Sequence, residues 1–276
     1  MKGRFEGWYF KHQANGHTLA LIPGRAEDHA FVQIVTDNEA HYVRYPLSAY
    51  QKGEDVRVGD SVFSTSGLRL DIRQAEISLA GEISYNNLTP IRSDIMGPFR
   101  FFPMECRHSV LSMDHKLEGT VSLDGTALDF TGGRGYIESD SGRSFPSGYT
   151  WVQCNDFGED ISIMAAVARI PFYGLRFWGC ICVVWLRGRE YRLATYRGVR
   201  IVQSKPGVLE LRQGKHRLLI TIRMRNAHPL PSPRFGRMDG TIRESLSCPA
   251  RFRFTEGDHI LFEGESAQAS YEYEIS

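Results

Sequence analysis

Leu68-Arg69-Leu70-Asp71-Ile72 sets an apolar residue against a charged one at every step. Successive side chains of an extended strand point to opposite faces, so this stretch is a strand with one face in a core and one in water. The same period of two runs through residues 117–124, where Leu117, Val121 and Leu123 share a face ahead of Asp124-Gly125, a pair suited to a tight hairpin. It returns in residues 218–224, where Leu218, Ile220, Ile222 and Met224 oppose Leu219, Thr221 and Arg223, and again in Phe252-Arg253-Phe254. Turn residues punctuate these runs at Asn15-Gly16, Lys52-Gly53, Ser66-Gly67, Gly132-Gly133, Arg187-Gly188, Pro206-Gly207 and Gly257-Asp258. Helical periodicity is almost absent, and no internal repeat is evident. The chain therefore reads as all-β and antiparallel. A chain of 276 residues built this way must close its sheets or cover their edges, which predicts two β-barrels or barrel-like sandwiches. The aromatic and polar segment around Asn155-Asp156-Phe157-Gly158 gives way to a simpler apolar strand. The boundary is accordingly placed there, with an N-terminal β-domain over residues 1–157 and a C-terminal one over 158–276. The Pro-rich stretch His228-Pro229-Leu230-Pro231-Ser232-Pro233 lacks the amide donors of a central ladder and is expected to be a loop.

Composition narrows the function by exclusion. Lys and Arg total 33 against 32 Asp and Glu, so no global field draws the chain to nucleic acid, and the arginines at 187, 189, 192, 197 and 200 read as a solvated face. The longest apolar run, residues 175–186, is broken by Arg176 and Gly179 and is shorter than the roughly 20 residues of a membrane span. Contact with a membrane surface is left open. No apolar run follows the basic N-terminus, so no signal peptide is expected, and the compartment expected is the cytoplasm. The five cysteines are scattered and expected to be reduced. Cys180-Ile181-Cys182 has no second pair and no nearby histidine, so no metal is expected and the segment reads as a buried strand face. Phosphate-binding and dinucleotide loops are absent, as is a nucleophile elbow, and no cofactor is expected.

Four segments break the rule of one apolar and one charged face. In Phe5-Glu6-Gly7-Trp8-Tyr9-Phe10, Glu6, Trp8 and Phe10 share a side opposite Phe5 and Tyr9; the strand is either packed between two layers or offers Glu6 and Trp8 as candidates for a pocket wall. In residues 104–110, His108 shares a face with Met104, Cys106 and Val110; His115, beside Asp114, is expected to be solvated. The remaining two flank a turn rich in small residues and are read as neighbouring strands. Tyr136 and Glu138, joined by Asp140 if the strand runs that far, point one way on the first arm, and Trp151, Gln153 and Asn155 on the second, opposite Ile137, Val152 and Cys154. Two aromatics, one or two carboxylates and two amides on one face suit an enclosed site for a small, largely apolar ligand. Side chains two apart on a strand are about 7 Å apart, so Glu138 and Asp140 could address one ligand atom.

These segments resemble the tocopherol cyclase family. The resemblance rests on Phe5-Glu6-Gly7-Trp8-Tyr9-Phe10, on the block from Met104 through Glu105-Cys106-Arg107-His108 to His115, and on Gly135-Tyr136-Ile137-Glu138 running through Ser144-Phe145-Pro146 to Trp151-Val152-Gln153-Cys154-Asn155. It implies a pair of lipocalin-like antiparallel barrels, akin to those of carotenoid-hydrating relatives, and a bacterial member of the family. The implied activity is acid-catalysed cyclisation or hydration of a prenylated quinol or isoprenoid-like lipid, and the alternative is a non-catalytic carrier of lipocalin type. By matched position Glu138 or Asp140 would donate the proton, and Trp8, Tyr136 and Trp151 would face the cation. Gln153, Asn155 and His108 would hold the quinol hydroxyls.

Overall fold

The computed structural model describes residues 3–158, 160–172 and 174–274. Most of the described chain is strand, in two antiparallel sheets. The first holds β1 (Phe5–Ala14), β2 (His17–Arg25), β3 (Ala30–Thr36), β4 (Ala40–Tyr45), β5 (Tyr50–Lys52), β6 (Val56–Val58), β7 (Ser61–Phe63), β8 (Gly67–Arg73), β9 (Ser78–Asn86), β10 (Cys106–Leu123), β11 (Thr126–Asp129) and β12 (Arg134–Gly142). The second holds β13 (Tyr149–Cys154), β14 (Ile161–Phe172), β15 (Leu175–Leu186), β16 (Arg189–Ala194), β17 (Arg200–Lys205), β18 (Val208–Gln213), β19 (His216–Ile222), β20 (His228–Arg234), β21 (Arg237–Glu256) and β22 (His259–Glu274).

Strand order repeats where sequence does not. The first sheet runs β4-β3-β2-β1-β12-β10-β9-β8-β7-β6-β5 and the second β16-β15-β14-β13-β22-β21-β19-β18-β17. In each, four strands form a meander and the first strand then pairs with the last. A short 3-10 turn follows the fourth strand in both, at Leu47–Ala49 and Thr195–Arg197. The expected turns carry the meanders: Asn15-Gly16, Asp124-Gly125 and Arg187-Gly188 each place two consecutive residues at positive φ, the geometry that matches the twist of a two-residue hairpin.

The chain forms two compact units. One comprises Met1–Ile91, His108–Phe145 and Leu230–Thr241; the other comprises Arg92–Arg107, Pro146–Pro229 and Ile242–Ser276. The first unit's core gathers Phe10, Leu21, Val32, Phe63, Ile72 and Ile137. The second unit's core gathers Val152, Ile163, Cys182, Leu211, Ile220 and Phe252. Full burial of each such side chain contributes about 1.5–3 kcal/mol. The alternating runs supply these cores as expected, except that Met224 lies past the end of β19 and is exposed.

Three expectations are corrected. The Pro-rich stretch is a strand, β20, paired off the main path with β21. Prolines at every second position remove donors from one edge only, and the carbonyls of Pro231 and Pro233 accept from the Gln33 side chain and the Phe145 amide instead. Arg192 is not solvated: it is buried, paired with Glu190 at 2.6 Å, and donates to the carbonyls of Ser93 and Asp94. His115 is buried as well, because it lies on the face of β10 that carries Leu117 and Val121 into the core.

His115 belongs to a polar island inside the first unit. Its ring lies 4.5 Å from that of Tyr85, whose hydroxyl is 2.6 Å from Nε2 of buried His12. The His12 Nδ1–H donates to the Leu19 carbonyl, so Nε2 accepts from Tyr85. The ring packs so closely on Gly135 that a Cβ there would meet His115 Nε2 at 2.2 Å. Burial pushes the pKa of His12 down to about 4, and burial together with His12 pushes that of His115 down to about 3. Both rings are therefore neutral in the fold. Below their ordinary value of 6.5 the unfolded chain takes up protons that the fold refuses, so stability contributed above pH 6.5 is lost as pH falls toward 4. We expect thermal melting temperature to drop through this window, each histidine removing about 1.4 kcal/mol per pH unit. The drop should be shallower in His115→Leu; an identical slope in that variant would exclude His115 as a source.

Candidate functional site

The pairing of β1 with β12 decides which side chains meet. Phe10 lies opposite Ile137, and both enter the first unit's core. The alternate residues point the other way: Tyr9 lies opposite Glu138, Lys11 opposite Tyr136 and Gly7 opposite Asp140. Directly opposed side chains start about 5 Å apart at Cβ. On the far side of β12, β10 presents His108 to the same face. Tyr136, Glu138, Tyr9 and Lys11 are nonetheless buried, so this outward face is polar and largely shielded from water.

His108 sits between two carboxylates. Its Nδ1 is 3.0 Å from Asp140 Oδ1 and its Nε2 is 3.3 Å from Glu138 Oε2. The Tyr136 hydroxyl donates to the same Glu138 oxygen at 2.6 Å. Burial opposes charge on the imidazole, but the adjacent Glu138 and Asp140 outweigh it and hold the His108 pKa well above its ordinary value. Burial and Glu138 also raise that of Tyr136, which stays a phenol. The cluster is thus an imidazolium bridging two carboxylates, with Tyr136 as an additional donor. Asp140 is its most accessible member, with 22% of its side chain exposed against 7% for Glu138. One nitrogen and two carboxylate oxygens of His108, Glu138 and Asp140 lie within 4.8 Å of one another, a donor set that would also suit a divalent cation.

The structure brings together His108, Tyr136, Glu138 and Asp140. Glu6 and Trp8 lie on the core side of β1. The Glu6 carboxylate is clamped by Arg25 at 2.6 Å and Lys52 at 2.7 Å, and these cations overcome the effect of burial to lower its pKa. The Trp8 ring already carries the Lys52 ammonium 4.6 Å from its centroid. The two arms read as neighbouring strands do not pair: β12 lies between β1 and β10, whereas β13 lies between β14 and β22. Trp151, Gln153 and Asn155 are buried residues of the second unit, on the face opposite Val152 and Cys154 of its core. The site face also does not line a barrel interior, since the interior side of β12 belongs to the apolar core. Tyr9 and Lys11 are the residues that the sequence reading missed. Their signal was present in the alternation of β1, but nothing in it says which face the acidic strand shares.

No protein-family model and no curated protein matches the sequence. Among solved structures, CghA with Sch210972 is similar with a TM-score of 0.65 at 10% identity, over 99% of this chain and 89% of that one. Kievitone hydratase from Nectria haematococca is similar with a TM-score of 0.57 at 14% identity, over 99% of this chain and 90% of that one. At these identities the likeness is one of fold, and it spans both sheets.

The charge state of His108 is directly measurable. By 15N NMR both ring nitrogens should carry protons at pH 7.5, about one unit above the ordinary histidine pKa. In the double variant Glu138→Gln, Asp140→Asn the burial penalty is unopposed and the ring should be neutral at that pH. A neutral ring in the unaltered protein would contradict the bridged arrangement.

Proposed function

We propose that the chain is an acid-catalysed hydratase or cyclase acting on an alkene-bearing, largely apolar molecule, with a prenylated quinol or isoprenoid-like lipid as the substrate class. The observation that carries this reading is the His108 imidazole held between Glu138 and Asp140 on a shielded face. Addition of a hydroxyl across a trisubstituted alkene needs a proton held where bulk water does not compete, and an acceptor for the proton released afterwards. The bridged imidazolium stores that proton at neutral pH. Asp140, the accessible member, relays it to the less substituted alkene carbon, and the electron pair of the double bond forms the new C–H bond. The tertiary cation left behind is attacked by water in a hydratase, or by the substrate's own hydroxyl in a cyclase. The oxygen then loses its proton to the carboxylate and the cluster is restored. Glu138, fixed by Tyr136, keeps the imidazole oriented and its charge balanced. Tyr9 supplies a ring beside Glu138 to face the cation. The similarity in fold to a protein named as a hydratase supports the reading, as does the resemblance of the His108 and Tyr136–Glu138 segments to tocopherol cyclases.

The carrier reading has less support, because the first unit's sheet packs its interior with its own side chains, Phe10, Phe63, Ile72 and Leu79 among them. Incubation with prenylated quinols in 18O-labelled water, followed by mass spectrometry, tests the proposal. Hydration adds one labelled water and cyclisation gives an isomer of unchanged mass. Asp140→Asn and Glu138→Gln should each lower turnover by at least about 100-fold while ligand is still retained. Unchanged turnover in both variants would defeat the acid assignment, and stoichiometric extraction without conversion would favour the carrier. Turnover should survive a chelator; loss that a divalent cation restores would replace the proton relay with metal chemistry at the same three residues.

A further inference from the structure

The second unit exposes aromatic and aliphatic surface that the proposed chemistry does not use. Phe101, Leu175 and Trp178 are 74%, 75% and 53% exposed. They lie on two segments, the 3-10 turn Gly97–Phe101 with the residues after it, and the outer ends of β14 and β15. Four rings join these segments, Phe99, Phe172 and Phe177 partly buried and Phe102 exposed. Phe99 stacks on Phe177 at 6.0 Å and meets Phe172 edge-on at 6.1 Å, while Phe102 meets Phe172 at 5.5 Å.

Hydrogen bonds tie the support beneath the patch into the second unit. Arg192 holds the carbonyls of Ser93 and Asp94, and the Tyr196 hydroxyl donates to the Ile95 carbonyl at 3.0 Å. Gly97 lies at positive φ with its Cα against the Tyr196 ring, where a Cβ would meet ring carbons at 2.6–2.7 Å. The exposed side chains are therefore presented on a pinned turn and a paired hairpin.

Charge identifies the surface they fit. Residues 97–107 and 169–178 contain Arg100, Arg107, Arg169 and Arg176 against one carboxylate, Glu105, in a chain whose overall net charge is only +1. Arg100 lies over the Phe101 ring at 4.6 Å, so cation and aromatic are offered together. Large apolar side chains rimmed by arginines match the headgroup region of a bilayer, where rings and aliphatic tips enter the acyl boundary and guanidinium groups meet lipid phosphates. We propose that this patch docks the chain on an anionic membrane surface. The inference stands on the second unit alone and does not depend on the proposed reaction.

Flotation of the full chain with phosphatidylcholine vesicles, with and without phosphatidylglycerol, tests it. The chain should float with the anionic vesicles and be released by salt. The triple variant Phe101→Ser, Leu175→Ser, Trp178→Ser should bind at least about tenfold more weakly. Arg100→Gln and Arg176→Gln should each weaken binding to anionic vesicles by about fivefold without affecting the neutral ones. All these positions are exposed, and unchanged melting temperatures would confirm that the variants fold. Failure to float with anionic vesicles, or flotation that the triple variant leaves intact, would overturn the proposal. So would a patch that proves to join two copies, seen as a dimer by light scattering that the triple variant converts to monomer while vesicles are ignored.

Discussion

The register between β1 and β12 is the constraint on which the site depends. With Phe10 opposite Ile137, the hydrocarbon side chains of both strands enter the core, and Tyr9, Lys11, Tyr136, Glu138 and Asp140 are turned to the other face. A slip of one residue would exchange the faces, placing Glu138 among Phe63 and Ile72 and exposing Ile137. Burying an unpaired carboxylate there would cost several kcal/mol, far more than the register could recover elsewhere. The hydrophobic side of the strand thus positions the catalytic candidates, although it never touches them. The pairing joins residues about 130 apart in sequence, so its loop-closure entropy is offset only once the intervening strands have condensed on the same core.

Much of this was legible as period-two alternation, because the core faces of β8, β10, β12 and β19 are written in Leu68, Leu117, Ile137 and Leu218. The grouping of Tyr136, Glu138 and Asp140 was legible for the same reason. Strand partnership was not. Alternation specifies two faces for each strand but is silent on which strand lies beside it, so the two arms flanking the turn between β12 and β13 read as neighbouring strands although each pairs elsewhere. The same gap bears on Glu6 and Trp8: their place beside Phe10 and opposite Tyr9 was clear from the alternation, and which surface that side packs against was not. His115 and Arg192 show a different limit. Each has a polar side chain that suggests water, yet each lies where the strand turns it inward and finds a partner there, Ser112 for the one and Glu190 for the other.

The repeated strand order supplies a physical reason for placing chemistry on this face. Both sheets pair their first strand with their last, and both of these pairs carry polar side chains opposite the apolar core. In the first sheet the Tyr136 hydroxyl meets Glu138, and in the second the Tyr149 hydroxyl meets Glu272. The two differ in what stands next to the carboxylate. Only the former belongs to a described cluster in which histidine and a second carboxylate join it, within the 4.8 Å that brings all three ligating atoms together. A tyrosine donating to a carboxylate satisfies an acceptor shielded from water. Addition of His108 and Asp140 turns the same motif into a group that can hold a proton at neutral pH and pass it on.

That distinction also bears on why the cluster tolerates burial. An isolated imidazolium on this face would be deprotonated by desolvation, as His12 and His115 are in the core of the same unit. His108 differs because a carboxylate oxygen lies near each ring nitrogen, and the attraction exceeds the cost of leaving water. Two histidine environments in one unit therefore reach opposite charge states from one set of forces. Where the neighbours are Tyr85 and a backbone carbonyl, burial prevails and the ring serves packing; where they are Glu138 and Asp140, charge prevails and the ring retains a proton that chemistry can use.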